Sequence, residues 1–246
     1  MQQSNAYILI YTVILTIVCG VLLSMTAIGL KEPQQKNIEL EKKSNILSVA
    51  MKVSEGDDVE KIYKERVKSY VVDVQGKVVE GQKAENIVVV TEYKKPVDQR
   101  LLPVYEILNP EGTDLEAYVF PVYGFGLWDN IWGYVALKKD LNTINGVNFD
   151  HKAETPGLGA RITTEEVRNR FIGKQIFDAS ASITGVKMMK GEGNDYSTQP
   201  NQVDGMSGAT ITGTGVSKML LEYMNCYQSF IKSKKSQSAT ALLITE

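Results

Sequence analysis

Asp204-Gly205-Met206-Ser207-Gly208-Ala209-Thr210-Ile211-Thr212 is the stretch on which the reading of this chain turns. It stands directly before the clearest periodic segment of the sequence, where Val216, Met219, Leu220, Tyr223, Met224, Tyr227, Phe230 and Ile231 recur at helical spacing. Apolar residues three and four apart share one helix face, so the stripe predicts a helix packed on a core. Its methionines and aromatics are then core rather than a cofactor box, and Cys226 is a packed thiol. Two readings of the stretch itself are open. Ser or Thr before an amphipathic helix serves as an N-cap. Small and hydroxyl residues at a helix start also make an anion site, because free backbone N–H groups and the positive dipole end favour a phosphate and glycine lets it approach.

Two more glycine-punctuated loops lie upstream: Tyr123-Gly124-Phe125-Gly126-Leu127-Trp128, and His151-Lys152-Ala153-Glu154-Thr155-Pro156-Gly157-Leu158-Gly159-Ala160. Each has a plain structural use, since Gly-x-Gly makes tight turns and Pro-Gly-x-Gly closes hairpins. Around them, β-rich runs at Ile87–Tyr93, Leu102–Leu108, Tyr118–Val122, Trp132–Leu137, Ile144–Phe149 and Ile183–Met189 are broken by turn residues. Asp57 is placed to cap a helix reaching Tyr70, with Val59, Ile62, Tyr63 and Val67 on one face. Tyr70–Val74 and Lys77–Glu80 flank Gln75-Gly76 as a hairpin. Thr163–Phe171 reads as a helix, with Glu165 and Glu166 in its first turn and Arg168 and Arg170 near its end, matching the dipole. Residues 57–235 therefore predict an α+β domain, one predominantly antiparallel sheet or two, with helices packed on it. Residues 236–246, rich in Ser, Thr and Ala, read as a flexible tail.

The N-terminal segment is of another kind. Ala6–Leu30 carries no charge and as a helix spans about 37 Å, enough to cross a hydrocarbon core of about 30 Å. Met1–Asn5 has no basic residue, and the apolar run exceeds a signal-peptide core, so residues 1–30 read as an uncleaved transmembrane anchor. Residues 31–56 read as a juxtamembrane linker or extended helix. Lys31, Lys36, Lys42 and Lys43 follow the anchor, and a positive-inside count leans towards a cytoplasmic domain, although long domains translocate against such charge. No acidic residue lies within the apolar run, so an ion path through this segment is not expected.

Composition removes several classes of function. With 27 basic against 29 acidic residues there is no basic stripe for nucleic acid. Two cysteines build neither a disulfide framework nor a four-thiolate site, and a single histidine, His151, excludes any metal centre needing two. The nucleophile-elbow, P-loop and Rossmann patterns are missing, so no NADH site is expected in this chain.

Together, Asp204–Thr210 as D-G-M-S-G-A-T and the H-x-x-E-T-P-G-L-G-A loop resemble the FMN-binding domain family, in which the final threonine of the first motif carries FMN through a phosphoester. The segment V-Y-G-F-G-L-W-D-N-I-W-G-Y-V-A-L, behind an anchor, is similar to the C subunits of sodium-translocating NADH:quinone reductases. The related RnfG proteins share the flavin motif and the T-P-G-L-G loop. A non-redox, membrane-anchored assembly module is the reading from a different class.

The resemblance implies an electron-transfer subunit of a bacterial inner-membrane complex, with covalent FMN as cofactor and the redox chemistry carried by the flavin. No protein residue is catalytic and no metal is bound. Thr210 is the implied attachment point, loaded from FAD by a separate Mg²⁺-dependent flavin transferase. Asp204 is either a recognition or deprotonating group for that transfer or a turn residue. Ser207, Gly208 and Ala209 give phosphate access, and Thr212 serves as a helix cap. Thr155, Gly157, Leu158 and Gly159 wall the ring, Leu127 and Trp128 pack near it, and His151 braces the loop. The implied partners are the A, B, D, E and F subunits of such a complex, the transferase and membrane lipid, with no nucleic acid. The large domain is implied to face the periplasm, against the lysine count.

Overall fold

The computed structural model describes residues 4–54 and 56–244, with 238–244 as backbone alone. The chain falls into two units, the first ending at Lys43 and the second beginning at Ser44. Helix α1, Asn5–Ser48, supplies the first unit and ends inside the second. Its apolar part is long and apolar enough to cross a membrane, and none of it is buried against protein. The hydroxyls of Thr12, Thr16 and Thr26 donate to carbonyls one turn back, at 2.8, 2.8 and 3.0 Å, so these polar groups need no water. The helix continues unbroken through Pro33 and across residues 31–48, so that part of the expected juxtamembrane segment is helical.

The second unit is organised by a five-stranded antiparallel sheet in the order β1-β2-β3-β4-β5, with sequential neighbours paired. The strands are β1 Val67–Val72, β2 Leu102–Leu108, β3 Leu115–Phe125, β4 Asn130–Lys138 and β5 Ile144–His151. Both faces are covered. Along β3, Tyr118, Phe120 and Val122 enter one apolar cluster, while Ala117 and Val119 enter the other. That alternation follows from the two-residue period of a strand. The first cluster is closed by α5, Thr210–Cys226, and the start of α6, Gln228–Ile244. All eight residues of the predicted helical stripe are buried there, with Cys226 as a free, buried thiol. The second cluster is closed by Ile46 and Leu47 at the end of α1, by Val49, by Tyr63 of α2 (Val59–Arg66), and by Ala84 and Ile87.

Several boundaries differ from the sequence expectation. Helix α2 is capped by Asp58 rather than Asp57, and it ends at Arg66 because Val67–Val72 pairs with β2 from Val67 onward. The Gln75-Gly76 turn forms, with Asp73 N donating to Lys77 O at 3.0 Å and Gly76 at φ +81. Ile87–Tyr93 is not a strand: a tight turn at Ala84–Asn86 leads into a short helix α3, Val89–Tyr93, which packs on β3. Its β-branched residues report burial rather than pairing. Ile183–Met189 contributes only Lys187–Met188 (β6), paired in parallel with Gln202–Val203 (β7). Residues 165–169 form α4 behind a 3₁₀ turn at Gly159–Thr163, a shorter helix than the predicted Thr163–Phe171. The terminal helix breaks at Tyr227, whose hydroxyl donates to Pro103 O at 2.8 Å, and α6 carries helical backbone through residues 236–244, where a flexible tail was expected.

Phe120 lies at the centre of the first cluster, fully buried, with its ring 4.6 Å from that of Tyr227 and 6.2 Å from that of Phe230. Phe120→Ala is expected to cost about 3–5 kcal/mol of stability, read from denaturant unfolding of the detergent-solubilised chain.

Candidate functional site

Strand register places the three glycine-punctuated loops together. Phe125 pairs with Asn130 and Ile131 with His151, so the β3–β4 turn and the exit from β5 share one end of the sheet. Helix α5 crosses the end of β3 at close range. A Cβ on Gly215 would lie 2.3 Å from the Phe125 carbonyl, and one on Gly124 would lie 2.9 Å from Met219 Cβ. Only glycine at these positions lets helix and strand approach so nearly, and the N-terminus of α5 is thereby brought to the two loops.

Thr210 is the first residue of α5 and is exposed, with no hydrogen bond from its hydroxyl among the described residues. The residue before it, Ala209, has no side chain to cap the helix, and the amides of Thr210, Ile211 and Thr212 find no acceptor among the described residues. Of the two readings of Asp204–Thr212, the N-cap is therefore not realised. What remains is a 17-residue helix with an open, electropositive end and a free hydroxyl on it. Thr212, expected as a cap, is instead a buried residue of the first turn.

Its partner is a residue missing from the expected set. Glu154 is 4% exposed and accepts from the Thr212 hydroxyl at 2.6 Å, and from the amides of Leu127 and Trp128 at 2.8 and 3.0 Å. One carboxylate thus joins the β3–β4 turn, the loop after β5 and the first turn of α5. Gly126 and Gly159 make room for it, since a Cβ at either would stand 2.3 or 2.2 Å from a carboxylate oxygen. His151 Nδ1 accepts from the Glu154 amide at 3.2 Å, so the histidine braces this loop. The turn beyond closes on itself, with Leu158 N and Ala160 N both donating to Thr155 O.

Leu127, Trp128 (67% exposed), Thr155 and Leu158 are among the exposed side chains on this pinned backbone. Leu158 meets Gly208, which has φ +73 and would place a Cβ 2.9 Å from Leu158 Cδ2. Gly157 has φ +76 and open space around it, and Gly159 is buried behind the loop. Ser207 is exposed, its amide held at 2.9 Å by Glu192, while Ala209 is buried. Asp204 is turned away from Thr210 in its contacts, accepting from Gly193 N at 2.7 Å and Asn194 Nδ2 at 3.3 Å, as a loop-tying residue does. On the other flank of α5, Tyr93, Phe125, Ile211, Thr214 and Lys218 line a cavity of about 330 Å³.

Glu192 forms a second tie. It pairs with Arg161 and Arg170 and also holds the Ser207 amide, while Arg170 donates to the Gly205 carbonyl. No sequence pattern points to this cluster, because its members lie far apart along the chain. An apolar surface of Leu, Trp and Leu beside a free hydroxyl at an uncapped helix N-terminus suits a planar aromatic group held through a phosphate, so the residues present fit FMN.

Comparison with known proteins bears on the same region. Residues 126–225 match the FMN-binding domain model. The chain is 32% identical over 224 residues to the C subunit of the Na(+)-translocating NADH-quinone reductase of Vibrio campbellii, covering 82% of this chain and 84% of that one. The C subunit from Neisseria meningitidis serogroup B is 29% identical over 97% of both chains. The chain belongs to the family of C subunits of Na(+)-translocating NADH-quinone reductases. The crystal structure of the Parabacteroides distasonis C subunit superposes with a TM-score of 0.71 at 35% identity, over 82% of this chain and 96% of that one. Shewanella oneidensis NqrC gives the same TM-score at 27% identity, over 80% of this chain and 98% of that one. The resemblance drawn from the three loops, and the fold class of an N-terminal apolar helix followed by an FMN-binding domain with an antiparallel sheet, agree with these findings.

The Glu192 cluster has a measurable consequence. Hydrogen bonds from Arg161, then from the Ser207 amide and Arg170, hold its carboxyl well below the ordinary value of 4.5. A carboxylate depressed in the folded state stabilises that state above its unfolded pKa, and the contribution is lost as pH falls through the folded one. Stability of the chain is therefore expected to decline on acidification below about pH 4.5. Glu192→Gln should decline less over the same interval, read from melting temperatures across a pH series.

Proposed function

We propose that this chain is the membrane-anchored, flavin-bearing electron-transfer subunit of a Na(+)-translocating NADH-quinone reductase, with FMN joined covalently to Thr210. The observation that carries the proposal is the unpaired, exposed Thr210 hydroxyl at the uncapped N-terminus of α5, beside Leu127, Trp128 and Leu158 on loops tied to that helix. In the attachment step the Thr210 oxygen forms a bond to the FMN-side phosphorus of FAD, the phosphoanhydride breaks, AMP leaves and the hydroxyl proton is released. A separate Mg²⁺-dependent flavin transferase performs it. The resulting phosphodiester is an anion placed against free amides and the positive end of the helix dipole.

Bound there, the flavin supplies one- and two-electron chemistry. The chain's own residues hold and orient it. Gly208 leaves room beside Thr210, Leu127, Trp128 and Leu158 offer apolar surface to a ring, and Thr155 with Gly157 shapes the turn that carries Leu158. Family membership supports partners within such a complex, and we take them to be its A, B, D, E and F subunits. No NADH-binding pattern is present, so electrons reach this chain from those neighbours. Mass spectrometry of the chain co-expressed with a flavin transferase should show one FMN phosphoryl addition on the Thr210 peptide, absent from Thr210→Ala. An unmodified native chain, or modification surviving the substitution, would falsify the attachment.

The flavin domain is assigned to the periplasmic side of the bacterial inner membrane, because a transferase acting there must reach Thr210. Lys31, Lys36, Lys42 and Lys43 weigh the other way, but translocation against such flanking charge is common. A cysteine introduced at an exposed position such as Lys64 should react with a membrane-impermeant maleimide in intact cells. Protection until the cells are lysed would place the domain inside.

A further inference from the structure

The family's flavin chemistry needs no carboxylate, yet the most thoroughly tied buried acid of the second unit sits directly behind the proposed ring wall. Glu154 has lost nearly all contact with water and accepts three hydrogen bonds, two from backbone amides and one from Thr212. Backbone amides donate and never accept, so Oε1 is committed as an acceptor, and the Thr212 hydroxyl supplies the donor for Oε2. Two backbone donors and one hydroxyl thus face its two oxygens. Among the described residues no Lys or Arg side chain pairs with it. Its oxygens meet N–H dipoles rather than a cation, and at 4% exposure a charge there is little screened by water.

A neutral strut would have tied the same loops. A glutamine side chain keeps one acceptor for the Leu127 and Trp128 amides and turns its NH₂ towards Thr212 Oγ1, which accepts as readily as it donates. Gly126 and Gly159 give the space for either side chain. The geometry therefore permits the tie without the charge, and the charge is what requires a reason.

We infer that Glu154 is a positioning and redox-tuning residue: a fixed buried anion behind the Leu127–Trp128 and Thr155–Gly159 walls that disfavours added electrons on the neighbouring flavin. This rests on the proposed attachment of FMN at Thr210. Reduction places negative charge on the ring, and an unscreened negative charge close by raises the energy of the reduced forms relative to the oxidised one. Glu154 thus sets the reduction potential lower than the same pocket would without the charge. Its backbone amide is held by His151, and its side chain by three donors, so the anion is unable to swing into solvent and relax its effect.

The test is a spectroelectrochemical titration of the purified, flavinylated full chain in detergent. Native protein, Glu154→Gln and Thr212→Val are compared, each with its melting temperature and its flavin mass. Glu154→Gln is expected to carry FMN and to shift the midpoint potential to more positive values. Thr212→Val keeps the charge but removes one of its hydrogen bonds, and is expected to lower the melting temperature with a much smaller shift in potential. Equal potentials in native and Glu154→Gln protein overturn the inference. So do equal shifts in the two variants, or failure of both to accept flavin, since either result makes Glu154 a strut whose charge is incidental. Absence of flavin from the native chain defeats the attachment at Thr210 instead, and is thereby distinguishable.

Discussion

Glu154 accepts hydrogen bonds from Leu127, Trp128 and Thr212 in a place where water does not reach, and a buried acceptor left without donors is costly. Three segments far apart in sequence must therefore arrive together or not at all. The two glycines that admit the carboxylate, Gly126 and Gly159, are placed by the same requirement, because any side chain at either would displace it. What surrounds Thr210 is thus one cooperative object rather than three loops that happen to be neighbours.

The sheet beneath is suited to hold such an object. Its strands pair only with sequential neighbours, so the β3–β4 turn and the exit from β5 are fixed to one end by register alone. Both faces are apolar and covered, one by α5 and α6 and the other by the end of α1 and α2. Function sits on loops while the frame stays rigid, which is how binding surfaces are commonly built. The Glu192 ties to Arg161 and Arg170 extend the same rigidity to the loop preceding Thr210.

Periodicity carried much of this into the sequence. The stripe from Val216 to Ile231 is buried residue for residue, and Leu102–Leu108 is a strand with the expected ends, because both patterns are set by burial on a single element. Ile87–Tyr93 misled for the same reason: β-branched and aromatic residues record an apolar environment, and here they pack as a short helix on β3. The resemblance named Thr210, Leu158 and Trp128, and the fold brings their loops to one end of the sheet. Neither it nor the pattern of residues singled out Glu154, although the residue lies inside the quoted loop, since an acid among glycines reads as a solvated turn until its burial is known. Glu192, Arg161 and Arg170 were equally invisible, because only the fold brings them together.

The position of α5 in the chain has a consequence for biogenesis. Thr210, the proposed acceptor, stands on α5, and its surroundings come from residues earlier in the chain. An unfolded chain carries the D-G-M-S-G-A-T residues without the walls that Glu154 assembles around them. On the proposed attachment, cofactor loading would follow domain closure, and a loaded Thr210 would mark a chain that had reached its final packing.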